Sequence, residues 1–68
     1  MENEFKDNLK LLRKEKGVGQ TELAKAISVS KGIISLWENG LREPSMSSLI
    51  ALSQYFCVSI DFLVGIGD

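Results

Sequence analysis

The side chains in this sequence that could do chemistry are cations and amides suited to binding an anion, and they are concentrated in the first half. Between residues 8 and 37, six Lys and Arg accompany two Glu, so this segment carries a net charge of +4, whereas the whole chain carries −1. No basic residue occurs from residue 45 onward. The overall charge disfavours a nucleic-acid partner, but a binding face needs only local positive charge. Residues 8–37 are therefore the candidate phosphate-binding segment.

The components of a catalytic site or a metal site are missing from the sequence. It contains no His and one cysteine, Cys57, which excludes an internal disulfide and a cysteine-rich zinc site. It also lacks a nucleophile with a neighbouring base and a glycine-rich phosphate loop followed by Lys. We therefore expect no enzyme, no metal and no cofactor, and we predict that Cys57 lies in apolar surroundings between Phe56 and Val58.

Length and polarity limit the possible architecture. The 68 residues are the size of one domain, which we assign to residues 1–68. Residues 1–10 are charged and lack the apolar core of a signal peptide, and no apolar run reaches the roughly 18 residues of a membrane span. We expect a cytoplasmic protein that contacts no membrane. Because a second, effector-binding domain has no room, we also expect no small-molecule ligand.

Apolar residues recur at helical spacing along the chain, and no stretch alternates with the period of a half-buried strand. Phe5, Leu9 and Leu12 form the first apolar stripe. Residues suited to helix caps separate the stripes, with Asn3 and Ser30 as examples. The sequence therefore predicts an all-α fold with helices at about residues 3–16, 20–27, 31–39, 45–56 and 60–64. The fourth helix has the apolar positions Met46, Leu49, Ile50, Leu52, Tyr55 and Phe56.

The second and third predicted helices are short and are separated by a turn at residues 28–30. Two short helices joined in this way form the geometry in which one helix enters a DNA major groove. The residues themselves resemble the Cro and lambda-repressor (XRE-like) helix-turn-helix family over nearly the whole chain, from residue 9 to residue 64. The motifs that carry the resemblance are QTELA (20–24), VS (29–30), ISLWENG (34–40), REPS (42–45) and VSIDFL (58–63).

This resemblance implies a compact five-helix lambda-repressor-like domain whose helix-turn-helix is formed by helices 2 and 3 and whose partner is double-stranded DNA. In such proteins, residues early in helix 3 read base edges, and residues at the ends of helices 2 and 3 contact phosphate. The implied base-readout residues are Lys31, Gly32, Ile33, Ser35 and Leu36. The implied phosphate-binding residues are Gln20, Ser30, Asn39 and Arg42. The positions that match a structural ion pair are Arg13 and Glu38.

Some of these residues have a structural alternative. Gln20 is equally expected as an ordinary residue at the start of helix 2. Ile33 and Leu36 could pack in the core instead of meeting DNA. Helical spacing makes Ile34 and Trp37 the better core pair, which favours exposure of the other two side chains.

Three positions depart from the family pattern. Ser28 stands where the family usually has Gly in the turn, and a positive φ there would cost a non-Gly residue about 1–2 kcal/mol. Gly19 replaces the usual hydroxyl cap of helix 2, and Gly32 replaces a larger readout residue. We therefore expect a slightly strained turn and contacts that differ in detail from those of relatives.

The C-terminal residues suggest self-association. A single small domain reads few base pairs, and members of this family generally bind two half-sites as a dimer. Phe62, Val64 and Ile66 are the expected dimer interface, unless they pack back on the fourth helix. The resemblance thus predicts a sequence-specific transcriptional repressor that binds a two-fold symmetric operator as a homodimer. The alternative is a protein-interaction module such as an antitoxin or antagonist, which the low net charge and the apolar Ile33 and Leu36 weakly favour.

Overall fold

Residues 4–66 are described by a computed structural model and form five α-helices joined by short turns. The helices are α1 (Phe5–Lys16), α2 (Gln20–Ala26), α3 (Lys31–Glu38), α4 (Met46–Phe56) and α5 (Ile60–Val64). Within residues 4–66 there is no strand, and no helix has the length and apolarity to cross a membrane. The all-α, five-helix prediction is confirmed, with α2 and α3 ending one residue earlier and α4 beginning one residue later than predicted. Asn3, the predicted cap of α1, lies outside the described residues.

Serine side chains start three of the helices. Ser30, Ser45 and Ser59 each accept a hydrogen bond from the backbone N–H three residues later, at the starts of α3, α4 and α5. Such a cap satisfies one of the N–H groups that the first helical turn leaves unpaired, and it typically stabilises a helix by about 1 kcal/mol. Gly19 precedes α2 and provides no side-chain cap. The start of α3 is therefore better defined by its own cap than the start of α2.

The hydrophobic core takes one fully buried side chain from every helix. These side chains are Leu9, Leu23, Ile34, Leu52 and Leu63. Burial of a leucine or isoleucine contributes roughly 2 kcal/mol. Phe5 of α1 and Trp37 of α3 add an edge-to-face contact, with ring centroids 6.0 Å apart. Because all five helices contribute to one cluster, α3 cannot shift without exposing apolar surface elsewhere.

Three residues lie in surroundings that differ from the sequence prediction. Met46 and Ile50 belong to the predicted apolar face of α4, but they are 69% and 44% exposed. Both lie at the edge of the stripe, where helical spacing alone does not separate buried from exposed positions. The prediction for Cys57 is wrong as well, because this cysteine is exposed. It ends α4 with a φ of 58°, and such a left-handed residue turns the chain out of the helix.

The turn between α2 and α3 occupies residues 27–30. Its backbone is closed by the N–H of Val29, which donates to the carbonyl oxygen of Ala24 at 2.9 Å. Ser28 has a φ of 62°, so the strain expected at this non-glycine residue is present. The left-handed residue is what allows so short a connection to redirect the chain from α2 into α3.

We expect Ser28→Gly to stabilise the domain by roughly 0.5–1 kcal/mol, because the relief of left-handed strain exceeds the extra freedom that glycine gains in the unfolded chain. Urea denaturation measures the difference. Ser28→Ala is the matched control, since alanine keeps the strain and should bring no gain. Equal stability of the glycine and alanine variants would show that φ at this position is not strained.

Candidate nucleic-acid interface

Helix α3 turns one side into the core and its first turn outward. Ile34 and Trp37 are buried, whereas Lys31 and Gly32 are exposed. A side chain added at Gly32 would meet only the Ser30 hydroxyl, at 3.8 Å, so the space in front of the first turn is open. The exposed first turn of α3 is thus the part of this helix that can approach a large partner.

The remaining predicted readout residues are less exposed than the first turn. Ser35 and Leu36 are half-buried. The prediction that Ile33 is exposed is wrong, since Ile33 is half-buried and packs against the hydrophobic core. The reason is helical geometry: residue 33 lies one turn before Trp37 and shares part of its inward face. Ile33 therefore contributes to the attachment of α3, which reduces what it can offer to a partner.

A polar cluster of Arg13, Gln20 and Glu38, called here the Glu38 cluster, connects α1, α2 and α3. Arg13 donates from Nε to Glu38 Oε2 at 2.7 Å and from Nη2 to Oε1 at 3.0 Å. Gln20 Nε2 donates to the same Oε1 at 3.1 Å. Arg13 also donates from Nη1 to the carbonyl oxygen of Val18 at 3.2 Å, which ties in the turn after α1. The predicted ion pair between Arg13 and Glu38 is therefore present, and its two parallel hydrogen bonds give it a fixed geometry.

The Glu38 carboxylate is deeply placed for a charged group. Glu38 is 4% exposed, and its side chain is one of few charged groups in contact with the core. The hydrogen bond to Glu38 raises the pKa of Arg13 above its ordinary value, so the guanidinium stays charged at every physiological pH. A buried carboxylate is tolerated when it is paired and hydrogen-bonded, and here both of its oxygens accept.

Sequence reasoning missed the bond between Gln20 and Glu38. The sequence suggested two roles for Gln20, a phosphate ligand or a helix-start residue, and the structure gives its amide a third. The two residues are 18 positions apart, and neither spacing nor composition indicates that they meet. Only the packing of α2 against α3 brings them together.

The other predicted phosphate ligands also differ in what they have free. The Ser30 hydroxyl oxygen accepts from the Ile33 N–H as the cap of α3. Asn39 Nδ2 donates to the carbonyl oxygen of Ser35 at 2.8 Å and lies 3.4 Å from its hydroxyl. Arg42 is exposed and forms no ion pair or side-chain hydrogen bond with any of residues 4–66. Of the four predicted ligands, Arg42 has the most uncommitted donors.

The structure separates the three residues predicted to form a dimer interface. Phe62 and Ile66 are 45% and 53% exposed and border the same shallow depression beside Asn8. Val64 is half-buried and lines a different groove, next to Trp37. Residues two positions apart on a helix point to different sides, which explains why Val64 does not join Phe62. The exposed apolar pair is thus Phe62 and Ile66.

The fold and the helix pair define the class of this protein. A family model described as Helix-turn-helix matches residues 9–63. The chain therefore belongs to this helix-turn-helix family, and the resemblance to Cro and lambda-repressor-like proteins is confirmed.

Particular relatives sharpen this assignment. The chain is 43% identical over 61 residues to the HTH-type transcriptional activator BcrR of Enterococcus faecalis, an alignment that covers 90% of this chain and 30% of BcrR. This chain thus spans less than a third of the length of BcrR. The crystal structure of a transcriptional regulator from Listeria innocua superposes with a TM-score of 0.92 and 32% identity, covering 100% of this chain and 64% of that one. The P22 c2 repressor in complex with a synthetic operator gives a TM-score of 0.85 and 33% identity, with coverage of 88% and 91%.

We expect Glu38→Ala to destabilise the domain by roughly 3 kcal/mol, because it leaves the Arg13 guanidinium without its partner in a largely buried position. For a chain of this size the melting temperature should fall by more than roughly 10 °C. Circular dichroism during heating measures the change. Glu43→Ala is the control, since Glu43 is exposed, and it should melt close to the parent. Equal melting temperatures for the two variants would contradict a structural role for the Glu38 cluster.

Proposed function

We propose that this chain is a sequence-specific DNA-binding transcriptional regulator that inserts the first turn of α3 into the major groove of an operator. The observation that carries the proposal is the exposure of Lys31 and Gly32 at the capped start of a helix whose opposite side is fixed in the core. A helix anchored in this way can present side chains to base edges without losing its own packing. The similarity to the P22 c2 repressor, which was crystallised with a synthetic operator, supports a DNA duplex as the partner.

The exposed and half-exposed residues of α3 have distinct capacities for base readout. Lys31 can donate to the acceptors of guanine or to a phosphate. Ser35 can donate or accept, and Leu36 can make apolar contact with a thymine methyl group. Gly32 lets the backbone approach the duplex closely. Ile33 supports the position of α3, because it packs partly against the core.

Contacts with the sugar-phosphate backbone would orient α3 in the groove. Gln20 uses one amide hydrogen for Glu38 and retains the other, and the Ser30 hydroxyl can still donate its proton. Asn39 and Arg42 lie at the opposite end of α3. These contacts position the helix and carry no sequence information of their own.

Two-fold binding follows from the small footprint of one α3. We propose that two copies bind half-sites about one helical turn apart, roughly 34 Å along the duplex, and associate through Phe62 and Ile66. These two side chains are exposed, whereas Val64 is not part of the proposed contact. Occupancy of the operator suffices for repression, because a bound dimer excludes other proteins from the same stretch of duplex.

The proposal is tested by incubating the protein with a pool of random duplex DNA at near-physiological salt and sequencing the retained molecules. We expect a two-fold symmetric motif whose binding weakens steeply as the salt concentration rises. Lys31→Ala should relax the preference at one position of each half-site. Negligible retention even at low salt would contradict DNA binding and would direct attention to a protein partner for the exposed face of α3, such as the toxin of an antitoxin pair.

We expect Phe62→Glu to yield a monomer with weakened operator binding, because a carboxylate cannot be buried unpaired in an apolar contact. Sedimentation velocity measures the oligomeric state. Leu11→Glu is the control, since Leu11 is 49% exposed on α1 and has no part in the proposed contact. A parent protein and a Phe62→Glu variant that sediment alike would refute this interface.

A further inference from the structure

A groove separates the start of α1 from the segment that follows α3. Its polar lining includes Lys6 from α1 and Asn39, Arg42 and Glu43 from beyond α3. Lys6 lies directly across Gly40: a Cβ built on this glycine would be 3.1 Å from Lys6 Cδ and 3.8 Å from Lys6 Nζ. Although Lys6 and Arg42 are 36 positions apart in the sequence, the fold brings them to one groove.

Most hydrogen-bond donors around this groove are already used within the protein. The Asn39 amide nitrogen is engaged by Ser35. The backbone N–H groups of residues 39, 40 and 41 donate to the carbonyl oxygens of residues 35, 37 and 36. Within residues 4–66, Lys6 and Arg42 form no ion pair and no side-chain hydrogen bond. The cations are therefore the donors that remain for a ligand.

The charge balance of the groove depends on Lys6. The C-terminal end of α3 carries roughly half a negative charge from its unpaired carbonyl groups, and Glu43 adds a carboxylate. Arg42 alone only offsets Glu43, which leaves the groove without a positive surplus. With Lys6 present, the groove becomes attractive to an anion.

We propose that Lys6 and Arg42 together bind one phosphodiester of the DNA backbone, an inference that rests on the DNA-binding function proposed above. The dimensions suit this role. Helix α3 has eight residues and is thus about 12 Å long, which is close to the width of the major groove. A phosphate held at the end of α3 would therefore lie across the groove from the first turn, and the two contacts would fix the helix between the strands. Lys6 is a positioning residue that the phosphate-binding assignment from the sequence did not include.

The test measures affinity for the duplex recovered from the random pool as a function of KCl concentration, for the parent and three variants. In Lys6→Gln we expect weaker binding and a plot of log K against log salt that is shallower by about 0.9, the change for one lost phosphate contact, with an unchanged sequence preference. Lys6→Arg should retain the parent slope. Lys16→Gln is the matched control, because Lys16 lies 4.9 Å over the ring of Tyr55. This variant loses the same charge away from the groove and should also keep the slope.

Each other outcome has a defined meaning. A Lys6→Gln slope equal to that of a parent that binds DNA would overturn the inference and leave the proposed function intact. Equal reductions in Lys6→Gln and Lys16→Gln would also overturn it, because the effect would then reflect net charge and not a site. A parent that binds no duplex would overturn both proposals. Thermal melting of all variants verifies folding, and failure of Lys6→Arg to keep the slope would count against a simple cation contact.

Discussion

The position of α3 depends on one buried carboxylate. Glu38 stands at the end of this helix, and its two oxygens accept three N–H groups from Arg13 and Gln20. A carboxylate removed from water is destabilising unless its partners are in place, so the native arrangement of α1, α2 and α3 is the one that satisfies it. Hydrophobic packing brings these helices together, and the Glu38 cluster restricts how they are oriented.

The same constraint divides the basic residues of α1 into two groups. Lys6 and Arg13 are seven residues apart, close to two helical turns, and so lie on one side of α1. Arg13 is committed to the buried carboxylate, whereas Lys6 crosses Gly40 and lies in the open groove beyond α3. Local geometry, and not the nearly balanced total charge, therefore decides which cations are available to an anion. This distinction removes the objection to a DNA partner that the net charge of −1 raises.

The readout surface is more limited than the sequence suggests. Of the five residues assigned to it, Lys31 and Gly32 are exposed, Ser35 and Leu36 are half-buried, and Ile33 packs partly on the core. An α-helix of eight residues resting on a small core has few positions that avoid it entirely. Stability and recognition thus share the same helix, and residues at the border contribute to both.

The sequence by itself determined the five helices, the cap at Ser30, the strained turn at Ser28 and the pairing of Arg13 with Glu38. Caps, turns and apolar periodicity depend on neighbours a few residues away, and the ion pair was accessible through the family resemblance. Only the tertiary structure decided that Gln20 joins Glu38, that Cys57 is exposed, that Val64 is separated from Phe62 and that Lys6 meets the end of α3. These outcomes depend on how helices pack against one another, and contacts between distant residues leave no periodic pattern in a single sequence.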